Sequence, residues 1–182
     1  MRHKLDGFLR RYPRLRWALT LVLVVLAVIF GRPADEQRGG PLEPGESGVL
    51  SGFAKVIDGD SFRLGGGEVR LVGIDAPEGR QTCERDGRTW DCGEDSRRQL
   101  QRLIGGQNVT CRSIERDQHG RYLGTCEAAG QTLNAAMVES GYAVSYGGYR
   151  SEEAAAKAAR RGLWSGTFQM PRVWRREHGI GR

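Results

Sequence analysis

The spacing of polar and apolar residues changes several times along this chain, and each change marks a boundary. After a polar start, Trp17–Phe30 is an apolar run (WALTLVLVVLAVIF) that predicts a hydrophobic helix. As a helix it rises about 21 Å, short of the roughly 30 Å hydrocarbon core of a bilayer. Residues 31–48 (GRPADEQRGGPLEPGESG) show no apolar period and read as a flexible linker. From Val49 the period becomes two: VLSGFAKVI, SFRL and EVRLVGI flank a Gly65-Gly66-Gly67 turn and predict a hairpin opening an antiparallel sheet. Glu94 to Ile104 places Leu100, Leu103 and Ile104 at helical spacing before Gly105-Gly106. Residues 108–128 form a second predicted hairpin around an Asp117 to Gly120 turn. Leu133 to Ser140 and Ser151 to Arg161 predict two further helices, stopped by Gly141 and Gly162; the second has Glu152 and Glu153 in its first turn and Arg160 and Arg161 in its last. The expected fold class is α+β, mainly β. About five strands and three helices would form a small barrel over residues 49–166, with 167–182 as a C-terminal extension that Phe168 and Trp174 would pack back onto the barrel.

Charge changes this picture only at the N-terminus. The chain of 182 residues carries a formal charge of +6. Residues 1–16 hold Arg2, Lys4, Arg10, Arg11, Arg14 and Arg16 against Asp6, a net +5, which leaves +1 for the remainder. A general basic coat is therefore a weak argument for a polyanionic partner, and phosphate recognition must come from a few placed arginines. The basic tail and apolar run together read as a targeting segment, with 1–16 cytoplasmic and 17–30 a signal anchor or a cleaved signal peptide. A cut after Ala34 puts Arg32 at the minus-three position and a cut after Gly31 puts Ile29 there, so no small-x-small site is formed. Either outcome exports the rest to the cell envelope, held at the membrane by a single pass or released if the signal is cut.

Four cysteines fall in the exported part, where disulfides persist. If the 117–120 turn puts Arg116 opposite Arg121, Cys111 falls opposite Cys126, at a cross-strand separation within disulfide range. Cys83 and Cys92 then close their own loop. The alternatives are free cysteines or zinc, and the spacings are far wider than zinc pairs need.

The candidate chemistry is concentrated in Asp58-Gly59-Asp60, Arg70 and Asp75-Ala76-Pro77-Glu78. Asp60 and Asp75 are hard oxygen donors at strand ends, suited to a partly hydrated Ca2+. Pro77 fixes the backbone after Asp75 and aims Glu78, which could take a proton from a nearby water. Arg70 and Arg121, the latter in the second hairpin, could clamp charge developing on phosphorus. Against this stands the plain reading of a polar turn and solvated arginines, so the case rests on the combination.

Three motifs in order, VIDGDSFRL, VRLVGIDAPE and DQHGRYL, resemble the staphylococcal nuclease (thermonuclease) family, and the likeness continues through CGEDSRRQL, LNAAMVESGYA and RRGLWSG over about residues 50–166. The resemblance implies a five-stranded OB-fold barrel with three helices, acting as a monomeric, Ca2+-dependent, sequence-tolerant nuclease on DNA and RNA that leaves 3'-phosphates. By the same resemblance Asp60 and Asp75 would bind Ca2+ through side chains and Ala76 through its backbone carbonyl, where the family often has Thr. Arg70 and Arg121 would hold the scissile phosphate, with Glu78 as general base. The chain departs at Gln118-His119, where the family often has Lys-Tyr. His119, Tyr146 and Tyr149 are candidates to stack on bases. Two other readings are a catalytically silent OB-fold module binding single strands or a protein, and a disulfide-stapled structural domain of the envelope. The full set Asp60, Arg70, Asp75, Glu78 and Arg121 separates the enzyme from both.

Overall fold

The computed structural model describes residues 48–180. The expected basic tail, hydrophobic helix and nearly all of the linker lie outside the described residues. Alternation sets the first strands as the sequence predicts: β3 (Ser61–Leu64) buries Phe62 and Leu64 and exposes Arg63, and β4 (Gly67–Leu71) buries Val69 and Leu71. Their two-residue turn places Gly65 and Gly66 at φ of 58° and 85°, which fits the twist of a tight hairpin and favours glycine. VLSGFAKVI does not form one strand. It breaks at Ala54 into β1 (Gly48–Phe53) and β2 (Lys55–Val56), which pair with different neighbours.

The second hairpin comprises β8 (Asn108–Arg116) and β9 (Tyr122–Ala128). Cys111 faces Cys126 as expected, and the two are bonded with Cα atoms 4.0 Å apart. Nearer the turn the expected register slips by one. A bulge between Ser113 and Glu115 puts an extra residue on β8, so Arg116 faces Tyr122 rather than Arg121. The main sheet runs β1-β8-β9-β4-β3-β2, with β10 (Gln131–Thr132) added on β9. It is mixed rather than antiparallel throughout: β4 and β9 pair in parallel, Val69 with Tyr122 and Arg70 with Leu123. This pairing sets Arg70 and Arg121 at one place on the sheet.

Helix α1 (Cys92–Ile104) turns Ser96, Leu100 and Ile104 inward and ends on Gly105 in the left-handed region at φ 57°. Helix α2 (Leu133–Glu139) buries Leu133, Met137 and Val138, and α3 (Arg150–Ala158) packs against α2. These join Leu50, Phe62, Val69 and Tyr122 in one core. Each large apolar side chain buried there contributes about 2 kcal/mol. A smaller core gathers the Cys83–Cys92 disulfide, Val144 and Leu163, with Trp90, Trp164 and Phe168 against it.

The strand and helix numbers differ from five and three. Short pairs such as β5 (Ile74–Asp75) with β11 (Val144–Ser145), and β6 (Cys83–Arg85) with β7 (Arg88–Trp90), have too few residues to show a period. A fourth helix among the described residues, α4 (Pro171–Glu177), begins with Pro171 in the extension expected only to pack back. Phe168 does pack back, edge-on to Trp164 at 5.0 Å, whereas Trp174 stacks on His178 at 4.0 Å.

Candidate active site

The first turn of the site is built by Asp58. Its Oδ1 accepts hydrogen bonds from the Asp60 amide at 3.0 Å and the Ser61 hydroxyl at 2.8 Å, which closes the chain and turns Asp60 inward. Gly59 is required by close approach: a Cβ there would lie 2.0 Å from Ser96 Oγ on α1. Asp60 Oδ2 accepts from the Ala76 amide at 3.0 Å, so the turn and the strand carrying Asp75 are tied directly. Arg70 Nη2 stands between the two acids, 2.9 Å from Asp60 Oδ2 and 3.0 Å from Asp75 Oδ1. Both acids are 3 % exposed.

Burial raises the pKa of Asp60 from the ordinary 3.8 to about 8; Arg70 and the Ala76 amide oppose the rise, and the charges of Asp58 and Asp75 add to it. Asp117 moves the other way. Its partial burial is outweighed by hydrogen bonds from the Arg121 side chain and from the Arg121 and His119 amides, which hold it below the usual carboxylate range. Arg121 is thereby held in place, Nε donating to Asp117 Oδ2 at 2.8 Å.

Glu78 lies on a loop fixed from several sides. The Gln81 amide donates to the Glu78 carbonyl at 2.8 Å, the Gly93 amide to the Gln81 carbonyl at 3.1 Å, and the Cys83–Cys92 bond closes the loop beyond. A Cβ on Gly93 would sit 1.8 Å from the Glu78 carbonyl oxygen, backbone against backbone. Gly93→Ala is therefore expected to displace the Glu78 loop, lowering any activity at least tenfold, with a fall in melting temperature of several degrees by thermal unfolding. An alanine variant as stable and active as the parent would show that the loop is not held here.

These residues meet in one cleft of about 750 Å³, lined by Asp58, Glu68, Arg70, Asp75, Glu78, Asp117, Gln118, His119, Arg121, Tyr146, Arg172, Arg175 and Ile180, while Asp60 is buried outside the lining. Arg70, Asp75, Glu78, Arg121, His119 and Tyr146 are thus brought together from separate elements. Tyr146, 62 % exposed, is held beside Gly73, whose carbonyl accepts a hydrogen bond from the Tyr146 amide at 2.9 Å. Tyr149 is not part of the lining. Its backbone turns left-handed at φ 60° and its ring packs by Gly73 against the core. For Ala76 the structure shows the amide at work on Asp60, while the carbonyl role remains an expectation of the resemblance.

Three contributors escaped the sequence reading. Asp117 was seen only as a turn residue, Gln81 not at all, and Arg175 lies past the motifs. Arg175 reaches Glu78 Oε1 at 2.9 Å and both oxygens of Asp75 at 2.9 and 3.0 Å. The only signal for it was a concentration of arginines, Arg172, Arg175 and Arg176, in the extension.

A mainly β fold that gathers three acids and two arginines from strands, turns and one loop defines a recognisable class of protein. The family model described as staphylococcal nuclease homologue matches residues 68–166. The Succinoglycan biosynthesis protein ExoI of Rhizobium meliloti (strain 1021) is 35% identical over 130 residues, covering 67% of this chain and 68% of that protein. An uncharacterized endonuclease of Escherichia coli O157:H7 is 33% identical over 133 residues, covering 66% and 81%. A probable staphylococcal-like nuclease of Oryza sativa subsp. japonica is 37% identical over 121 residues, covering 63% of this chain and 30% of the plant protein. The chain belongs to the staphylococcal nuclease family.

Proposed function

We propose that this protein is a calcium-dependent, sequence-tolerant nuclease that hydrolyses DNA and RNA phosphodiesters to leave 3'-phosphates. The observation that carries the reading is the convergence of Asp75, Arg70, Glu78 and Arg121 on one cleft, with Asp60 tied to them through Arg70 and the Ala76 amide. The donor set fits a hard cation. One Arg70 nitrogen already stands within 3.0 Å of an oxygen of each aspartate, a positive charge between two carboxylates. Among the described residues no group of three or more His, Cys, Asp or Glu forms a metal cage, so water would complete the shell, as Ca2+ accepts. When bound there, Ca2+ supplies positive charge to polarise phosphate and water.

The chain's own residues do the rest. Arg70 and Arg121 bind nonbridging phosphate oxygens and gain strength as charge builds on them. Glu78 takes a proton from water, the water oxygen bonds to phosphorus, and the bond from phosphorus to the 5'-oxygen breaks. That oxygen leaves as an alcohol after taking a proton from solvent. Tyr146 and His119 at the mouth offer rings to stack on bases whatever their sequence. Export to an oxidising compartment, tethered through residues 17–30, accords with two disulfides.

Full-length, oxidised protein incubated with single-stranded DNA in millimolar Ca2+ at mildly alkaline pH is expected to cut it into 3'-phosphorylated products and to stop on chelation. Intact DNA under those conditions would rule the nuclease out, and binding without cutting would favour the silent module.

A further inference from the structure

Helix α4 lies past the matched family segment, yet it brings Arg172 and Arg175 to the cleft. Its approach is built into the fold rather than left to a loose tail. Thr167 and Glu84 exchange backbone hydrogen bonds, each 2.9 Å, and the buried Gln81 side chain donates to the Gln169 carbonyl at 2.7 Å. Gln81 belongs to the same loop as Glu78, so base and helix share one support. From there Arg175 inserts its guanidinium between Asp75 and Glu78, at 22 % side-chain exposure.

The paired arginines of the cleft share one arrangement. Arg70 rests on Asp60 and Asp75, Arg121 on Asp117, and Arg175 on Asp75 and Glu78. For the first two, an incoming phosphate exchanges one anionic partner for another at little cost in charge. Arg175 has the same chemistry and stands between the cation-binding acid and the base, the two groups that must flank the reacting phosphate. Its planar fork, already spanning two carboxylates, matches two phosphate oxygens equally well. Arg172 lines the same wall and makes no ion pair among the described residues.

We propose that Arg175 is a third phosphate-binding arginine of the cleft, supplied from outside the family core, which moves from Asp75 and Glu78 to the nucleic-acid backbone when substrate enters. The inference rests on the nuclease reading of this site.

The test uses full-length oxidised protein and a labelled phosphorothioate single strand, with binding followed by fluorescence anisotropy in Ca2+ over a range of salt. Arg175→Ala is expected to weaken binding about tenfold and to reduce the slope of log affinity against log salt by about 0.7, the loss of one phosphate contact on a single strand. Arg175→Lys should keep the slope and recover part of the affinity, because it retains charge without the fork. Arg175→Gln carries the same test if the alanine variant does not fold. Unchanged affinity and slope, with tighter Ca2+ binding by calorimetry, would overturn the proposal and make Arg175 a plug that the metal expels. If the parent holds the strand but does not cut ordinary DNA, the nuclease reading fails while the slope still judges Arg175.

Discussion

Replacing Glu78 by Gln is expected to lower kcat by about a thousandfold while leaving KM and single-strand affinity nearly unchanged. General-base assistance contributes roughly 10² to 10⁴ in rate, and the amide is the same shape but cannot take the proton. The substitution is close to neutral for the architecture. Glu78 Oε1 accepts from Arg175 Nη1 at 2.9 Å, and the amide oxygen of Gln can accept that bond, although without its charge. The loop is held by backbone contacts to Gln81 and Gly93, not by the carboxylate. Steady-state kinetics with single-stranded DNA would read the two parameters separately. Equal losses in turnover and affinity would mean that Glu78 holds substrate or shape instead of moving a proton.

Calcium affinity is expected to fall by about fiftyfold between pH 8 and pH 6, because a cation and a proton compete for Asp60. The fold raises the Asp60 pKa to about 8, chiefly by burial. The sign follows from linkage: the folded protein holds this proton more tightly than the unfolded chain, whose carboxyl titrates near 4. Asp60 therefore favours the metal-free fold at low pH, and that contribution is lost as pH rises through 8. A bound metal requires the carboxylate, so below pH 8 each ion taken up releases up to one proton and affinity drops about tenfold per unit. Calorimetric Ca2+ titration in two buffers of different ionisation enthalpy measures both quantities. A flat affinity over this range, with no proton released, would show that Asp60 is already ionised. Asp58→Asn should shift the dependence to lower pH, because the Asp58 charge is one of those that raise Asp60.

The parts legible in the sequence are those whose signal is local. Phe62, Leu64, Val69 and Leu71 declare β3 and β4 by alternation, and the glycines between them declare the turn. The motif residues of the site were legible for the same reason, since Asp60, Arg70, Asp75 and Glu78 occupy one short stretch. What escaped depends on partners distant in the chain. No local period tells β4 that its neighbour is the parallel β9. Helix α4 carries Arg172, Arg175 and Arg176 with little apolar rhythm, so nothing local declares a helix whose approach is fixed by the bond from Gln81 to Gln169. Tyr146 and Tyr149 look alike in sequence; they are separated by the left-handed turn at Tyr149, which sends one ring to the core.

The parallel pairing of β4 with β9 also sets when the cleft is assembled. Each hairpin carries only part of the site and closes over a short span, a process of microseconds. Arg70 and Arg121 come to one cleft only when two strands far apart in the chain dock. Long-range closure of this kind comes late in folding because its entropic cost precedes its contacts. A chain in which β4 and β9 have not yet paired thus holds no complete cleft.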